Sequence, residues 1–412
     1  MTPRPIRHAL HQVHSIVGLT ISLVLACVGV TGALMSFEDE IVDHLNKDLM
    51  HVAVRSAPLL TPEEMIRRIE ADNSGARVSG LTIASDPAAA TRARFAREAQ
   101  GTRRPSVYAD PYDGRTLGTP VGEETFATIR RLHRWLLLPG DADGYGRWIT
   151  GAAAVSLVAL LMTGIVLRWP RRVRSLKTWL KPNFALHGRG FFWSLHSVVG
   201  TWLIPIYFIT ILTGLWWSYD WYKDAATWLL TGKERPAAGQ KMAKGGSPDA
   251  AKAKAPRAEQ GDRKAPSLDR AWSAFRDRYG ASYAVATLMV PTGAGTVVRI
   301  RSVAKDAPSE AARDEIRIDG VTGKIVSAEL YADKTAGETV IARVLDIHTG
   351  SMFGLAGRIM FMLAAALMPL FMVTGYLLYL SRRRLRAAAL AASRRQEIPQ
   401  APPASSAHGS LS

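Results

Sequence analysis

His14-Ser15-Ile16-Val17-Gly18, followed by Thr31-Gly32, recurs in this chain as His196-Ser197-Val198-Val199-Gly200, followed by Thr213-Gly214. The interval from histidine to threonine is the same in both copies (31 minus 14 and 213 minus 196 are both 17). At about 1.5 Å of rise per residue, that interval crosses most of a hydrocarbon layer about 30 Å thick. The runs 15–37 and 190–219 contain no Asp, Glu, Lys or Arg. Each copy is therefore predicted to be a membrane helix with a histidine near one end.

Two more spans follow the same logic. Gly146-Arg147 precedes Thr163-Gly164 as Gly357-Arg358 precedes Thr374-Gly375 (163 minus 147 and 374 minus 358 are both 16), and the runs 148–167 and 359–381 are again uncharged. A histidine lies just upstream of each, in Leu132-His133-Arg134 and Ile347-His348-Thr349. The chain thus reads as a tandem duplication of one unit: span, external domain, histidine, span. Half-chain repeats in membrane proteins commonly place the functional site between the halves.

Across 412 residues the mean hydropathy is close to zero, because four apolar runs and long polar segments cancel. Arg4 and Arg7, then Arg171, Arg172, Arg174, Lys177, Lys181 and Arg189, then Arg382, Arg383, Arg384 and Arg386 all fall on one side of a four-span topology. The positive-inside rule makes that side the cytoplasm, with both termini there and the first span uncleaved. Most of the formal charge of +17 lies in these flanks and in one linker, and no aromatic-interleaved basic motif accompanies it, which argues against nucleic acid as a partner. Cys27 is the single cysteine, which excludes an internal disulfide, a cysteine metal cluster and covalent haem attachment. Any cofactor must be held without thiols.

The expected boundaries are a first span through 37, an external domain over 38–146, a second span over 147–169, a basic loop over 170–190 and a third span over 191–221. A partly disordered linker over 222–266, a second external domain over 267–357, a fourth span over 358–381 and a disordered tail over 382–412 complete the chain. Within the first external domain, Thr61-Pro62-Glu63-Glu64 signals a helix start, and strands are predicted over 77–85, 91–98, 106–110 and 115–117. The second domain repeats the order: a helix over 267–279, then strands over 283–290, 296–303, 315–319 and 324–326. Asp110 to Gly114 and Asp319 to Gly323 share one spacing, each followed by a basic residue.

A helix followed by a small antiparallel sheet ending in Asp-x-x-x-Gly-(Lys/Arg) resembles the PepSY domain. Two such modules between histidine-bearing spans resemble the PepSY-associated transmembrane family, and within it the bacterial inner-membrane ferric-siderophore reductases that carry b-type haem. The resemblance covers the chain apart from the linker and the tail. It implies a membrane bundle of four helices with two small α+β PepSY-like periplasmic domains, and a ferric siderophore or other ferric chelate as substrate.

The histidines carry the chemistry. An ionisable group inside a span is costly without a partner, so His14 and His196, at one depth on facing spans, are expected to ligate one haem iron axially. His133 and His348 are expected to hold a second haem on the periplasmic side, with Gly350, Gly354 and Gly357 admitting a flat macrocycle. The plainer readings are imidazoles bonded to a carbonyl or water at the membrane edge, or facing lipid headgroups. His8 and His11 share a helical face with His14 and are alternative ligands. Arg147 and Arg358 are candidates for haem propionates, or for lipid phosphate. No G-x-G-x-x-G fingerprint occurs in the cytoplasmic segments, so electrons are expected from another protein or from quinol. A haem-free PepSY sensor or peptidase regulator is the alternative; a transporter is disfavoured by spans lacking carboxylates.

Overall fold

The computed structural model describes residues 4–97, 104–169, 176–235, 265–291 and 295–396. The basic cluster Arg171, Arg172 and Arg174, most of the expected linker and the last sixteen positions lie outside them. The helices are α1 (Arg4–Met35), α2 (Glu38–Leu45), α3 (Lys47–Met50), α4 (Pro62–Asp72), α5 (Glu123–Trp135), α6 (Tyr145–Arg168), α7 (Leu176–Leu180) and α8 (Gly188–Ser218). They continue with α9 (Asp220–Thr231), α10 (Leu268–Tyr279), α11 (Ala336–Ala342), α12 (Val344–Thr349), α13 (Gly354–Ala366) and α14 (Met368–Gln396). Four stretches are long and apolar enough to cross a membrane: Pro5–Met35, Tyr145–Arg168, Gly188–Ser218 and Ser351–Ser393. The protein is therefore a multi-pass membrane protein. Trp148, Trp169, Trp193 and Trp221 are exposed near span ends, as an interfacial aromatic belt requires.

Two compact units are formed by segments distant in sequence. One comprises Met1–Val30, Ala152–Phe208 and Ala364–Ser412; the other comprises Thr31–Gly151 and Ile209–Leu363.

In the first unit, Val199, Leu203, Tyr207 and Ala364 form a buried seam with Leu161, Leu367, Met368 and Phe371 packed on it. The fourth span departs from the expected single helix. It breaks at Leu367, because Pro369 has no N–H to continue the ladder, and resumes as α14. The Tyr207 hydroxyl donates to the Ala364 carbonyl beside the break at 2.7 Å. Gly29 on α1 packs here so tightly that a Cβ would lie 2.6 Å from the Ala365 carbonyl oxygen. Helix α14 also runs on through Arg382–Arg386 to Gln396, where the sequence suggested the ordered chain would stop.

The second unit holds an antiparallel sheet of eight strands: β1 (Val78–Ala84), β2 (Thr91–Phe95), β3 (Val107–Ala109), β4 (Thr116–Gly118), β5 (Tyr283–Met289), β6 (Val297–Ala304), β7 (Arg313–Asp319) and β8 (Ile325–Glu329). Their order is β4-β3-β2-β1-β5-β6-β7-β8. The two predicted external domains thus share one sheet, joined where Leu81 pairs with Leu288 and Thr82 with Thr287, whose hydroxyls bond at 3.0 Å. Alternating strand residues supply the core: Leu288, Val298, Ile300, Ile316 and Ile318 pack on Trp272 and Phe275 of α10, while Val78, Leu81 and Ala93 pack on Met65 and Ile69 of α4.

The two packing helices also cap each other. Glu63 N donates to Asp269 Oδ1 at 2.8 Å, and Glu63 Oε1 accepts from Ser267 Oγ at 2.8 Å and Asp269 N at 3.3 Å. Each N-terminus is met by a carboxylate from the other, which suits the positive end of both helix dipoles. The Asp-x-x-x-Gly segments close the strand turns, with Gly114 N donating to the Asp110 carbonyl at 2.8 Å and Gly323 N to the Asp319 carbonyl at 2.7 Å.

Candidate functional site: two imidazole pairs

His14 on α1 and His196 on α8 lie in the first unit, with ring centroids 6.3 Å apart and planes at 74°. His133, in the last turn of α5, and His348, in the last turn of α12, lie in the second, at 6.5 Å and 76°. The pairing expected from sequence is the pairing found. His11 instead bonds Ser15 and stands against Arg382, and it has no facing imidazole among the described residues.

Each imidazole is held through Nδ1 by the threonine of a Thr-Gly pair. His14 Nδ1 lies 2.8 Å from Thr163 Oγ1, His196 Nδ1 2.7 Å from Thr374 Oγ1, His133 Nδ1 3.1 Å from Thr31 Oγ1 and His348 Nδ1 2.9 Å from Thr213 Oγ1. Three of these hydroxyls also reach the carbonyl four residues back: Thr163 to Ala159 at 2.7 Å, Thr213 to Ile209 at 2.7 Å and Thr374 to Leu370 at 2.6 Å. A hydroxyl has one proton, and the carbonyl takes it, so the oxygen accepts from Nδ1–H. For His14, His196 and His348 the proton of the neutral imidazole is thus on Nδ1, which leaves Nε2 as the acceptor nitrogen.

The glycine of each pair makes room for the ring. A Cβ on Gly32 would come within 3.2 Å of His133 Cε1, and one on Gly214 within 3.4 Å of His348 Cε1; the matching values at Gly164 and Gly375 are 3.6 and 3.9 Å. Apolar rings line the imidazoles as well, Phe371 at 5.2 Å from His196 and Trp217 at 5.3 Å from His348. Burial pushes the His348 imidazole from its ordinary 6.5 down to about 4, with His133 adding to the effect, so its neutral form dominates.

The donor set limits what metal centre fits. Among the described residues no group of three or more His, Cys, Asp or Glu converges on one point. Two imidazoles alone do not complete the four-coordinate shell that zinc prefers. They do complete a metal whose other ligands lie in a macrocycle. With a metal–nitrogen bond of about 2 Å and a nitrogen about 1.1 Å from its ring centre, two trans-axial imidazoles have centroids about 6.2 Å apart. Both observed spacings are within 0.3 Å of that value.

The other candidates have different roles. Arg147 donates to the Trp217 carbonyl at 3.1 Å and pairs with Asp220 at 3.1 Å. Arg358 donates to the Ser36 carbonyl at 2.5 Å, pairs with Glu40 and lies over the Phe37 ring. Their guanidinium donors, expected to meet propionates, are taken by protein carboxylates and the last carbonyls of α8 and α1. Of the glycines after His348, Gly350 is closed by the Gly357 carbonyl and Phe361 and Gly357 by Phe353 and the Gly350 carbonyl, while the space beside Gly354 is open.

What sequence reading missed is the purpose of the Thr-Gly pairs, which it used only to find register. Their recurrence at matching intervals from histidine was the available signal. Comparison with curated proteins finds no match. Comparison with protein families matches residues 11–382 to the PepSY-associated TM region. With the match running over nearly the whole chain and both histidine pairs inside it, this protein belongs to the PepSY-associated TM region family.

Proposed function

We propose that this protein is a di-haem b oxidoreductase of the bacterial inner membrane, which passes electrons across the bilayer to a periplasmic ferric siderophore or similar ferric chelate. One electron per iron converts Fe(III) to Fe(II), which the chelator then releases. The observation that carries the reading is the pair of histidine pairs, each at bis-axial spacing and each ring fixed by a threonine. When bound, b-type haem with two imidazole ligands supplies one-electron transfer without an open position for oxygen.

The chain's own residues do the rest. The threonines hold a proton on Nδ1 and so keep Nε2 basic, a support that raises ligand strength and tunes potential. Phe371 and Trp217 exclude water from the rings and lower the local dielectric. The basic flanks favour a cytoplasmic location for both termini, and on this reading the first histidine pair serves the cytoplasmic side and the second the periplasmic side. On this reading the two helix-plus-four-strand segments are PepSY-like modules of a duplicated unit, and quinol or a cytoplasmic protein donates the electrons.

The test is a visible spectrum and haem quantification on the purified full-length protein. Two haems per chain and a dithionite-reduced band of bis-histidine b-haem are expected. A colourless protein that takes up no haem would instead favour the haem-free PepSY sensor.

A further inference from the structure

One end of the first unit carries a buried cation that the packing leaves without a counter-charge. Arg168, the last residue of α6, is 8% exposed. Its Nη2 donates to the Thr178 carbonyl, and its guanidinium lies over the rings of Trp193 at 5.4 Å and Trp179 at 5.7 Å. Among the described residues its Nε has no hydrogen-bond partner and no carboxylate pairs with the group. Burying a cation is costly unless an anion meets it, and two ring faces and one carbonyl offset only part of that cost.

Arg168 lines a cavity of about 980 Å³ where the first span begins, the second ends and the third begins. Arg7 and the exposed Lys177 and Lys181 share its lining, and no Asp or Glu occurs among the described lining residues. Arg7 also donates to the Leu167 carbonyl at 3.1 Å, which ties the start of α1 to the end of α6. The aromatic part of the lining, Trp169, Phe184 and Trp193, is half or more exposed. None of the paired histidines, and none of the threonines that hold them, lines this cavity.

We propose that this cavity binds the phosphodiester headgroup of an anionic phospholipid, with Arg168, Arg7, Lys177 and Lys181 supplying the counter-charge and the exposed rings receiving the glycerol backbone and upper acyl chains. Span ends lie at headgroup depth, where Trp side chains partition and clustered Lys and Arg attract acidic lipid. The chemistry selects this occupant. A zwitterionic lipid brings an ammonium that four cations repel. Free inorganic phosphate offers the same phosphate chemistry but leaves the aromatic surface and most of the volume unused. The proposal requires only that the spans lie in a bilayer, and it is independent of the haem reading.

The test uses the full-length protein in detergent micelles, offered palmitoyl-oleoyl phosphatidylglycerol and the matching phosphatidylcholine in equal amounts. Retained lipid is counted by native mass spectrometry, and affinity is read from the rise of the thermal midpoint on titration. Wild type should retain one phosphatidylglycerol in preference to phosphatidylcholine. R168Q should weaken that binding roughly ten- to a hundred-fold, the equivalent of one charge-assisted hydrogen bond, with R168K intermediate. The double variant K177Q/K181Q alters only exposed side chains, so it tests the cavity without disturbing the buried group, and should weaken binding about five-fold per charge. R383Q removes an exposed charge beyond the fourth span and outside the cavity, and should leave binding unchanged.

Equal retention of phosphatidylglycerol by wild type and K177Q/K181Q would overturn the proposal. So would an R383Q variant weakened as much as K177Q/K181Q, the mark of a basic surface without a site. Equal retention of the two lipids by wild type would remove the role of charge. If inorganic phosphate at submillimolar concentration displaced phosphatidylglycerol, the cavity would be a site for a soluble anion and the lipid assignment wrong.

Discussion

The single proton of a threonine hydroxyl decides the tautomer of three of the four imidazoles. Because Thr213 Oγ1 lies 2.7 Å from the Ile209 carbonyl and 2.9 Å from His348 Nδ1, it must accept from the ring. Thr213→Val keeps the shape and removes the acceptor, stranding a buried N–H. We expect haem affinity at that site to fall about 10- to 100-fold, with Thr213→Ser close to wild type; a haem titration reads both. His348 also predicts a pH dependence. Its imidazole is lowered from 6.5 to about 4 by burial, so the unfolded chain binds more protons between those values and stability rises with pH there. The contribution is fully present above about pH 6.5 and lost as pH falls toward 4. Thermal melts of haem-free protein across this window should show a declining midpoint, and a shallower decline in His348→Gln would assign that share to this ring.

Helices α13 and α14 show how an element can be interrupted without loss of order. Pro369 removes one rung of the ladder, the chain breaks at Leu367, and the buried Tyr207 hydroxyl meets the Ala364 carbonyl. Tyr207→Phe would leave that carbonyl with the Leu367 N–H at 3.2 Å in place of two donors, at a cost of about 1 kcal/mol. A lowered unfolding midpoint in detergent, with unchanged helical content, is the expected result. Arg147 and Arg358 work at the same level, as clamps on the ends of α8 and α1. Their equivalent tasks explain why the sequence places them at matching intervals without requiring a cofactor.

For the whole molecule, the consequential fact is that each histidine pair draws both members from one compact unit. Loss of one site therefore need not disturb the other. His196→Ala should remove one of two haem equivalents and His348→Ala the other, as read by pyridine haemochrome assay. Loss of both haems in either variant would mean that the sites fold as one. The sheet adds a second consequence: because β1 pairs with β5, the two helix-plus-four-strand segments share a single eight-stranded sheet. A fragment ending before β5 would expose the edge of β1, an invitation to aggregation.

Much of this was legible in the amino-acid order, for a definite reason. Spans are recognisable because hydrocarbon tolerates neither charge nor unpaired backbone over about 20 residues, and strands because alternation has period two. The histidines stood out because an imidazole within or beside an apolar run needs a partner, and the recurrence of the His and Thr-Gly spacings doubled the signal. The order of residues alone therefore determined the four crossings, the eight strands and the identity of the paired imidazoles. Which threonine serves which histidine, how the two halves of the sheet join, where Arg147 and Arg358 spend their donors, and where the fourth span breaks were decided by tertiary structure only. Those contacts link residues seventy or more positions apart or depend on what fills a few ångströms of space, and neither leaves a period in the chain.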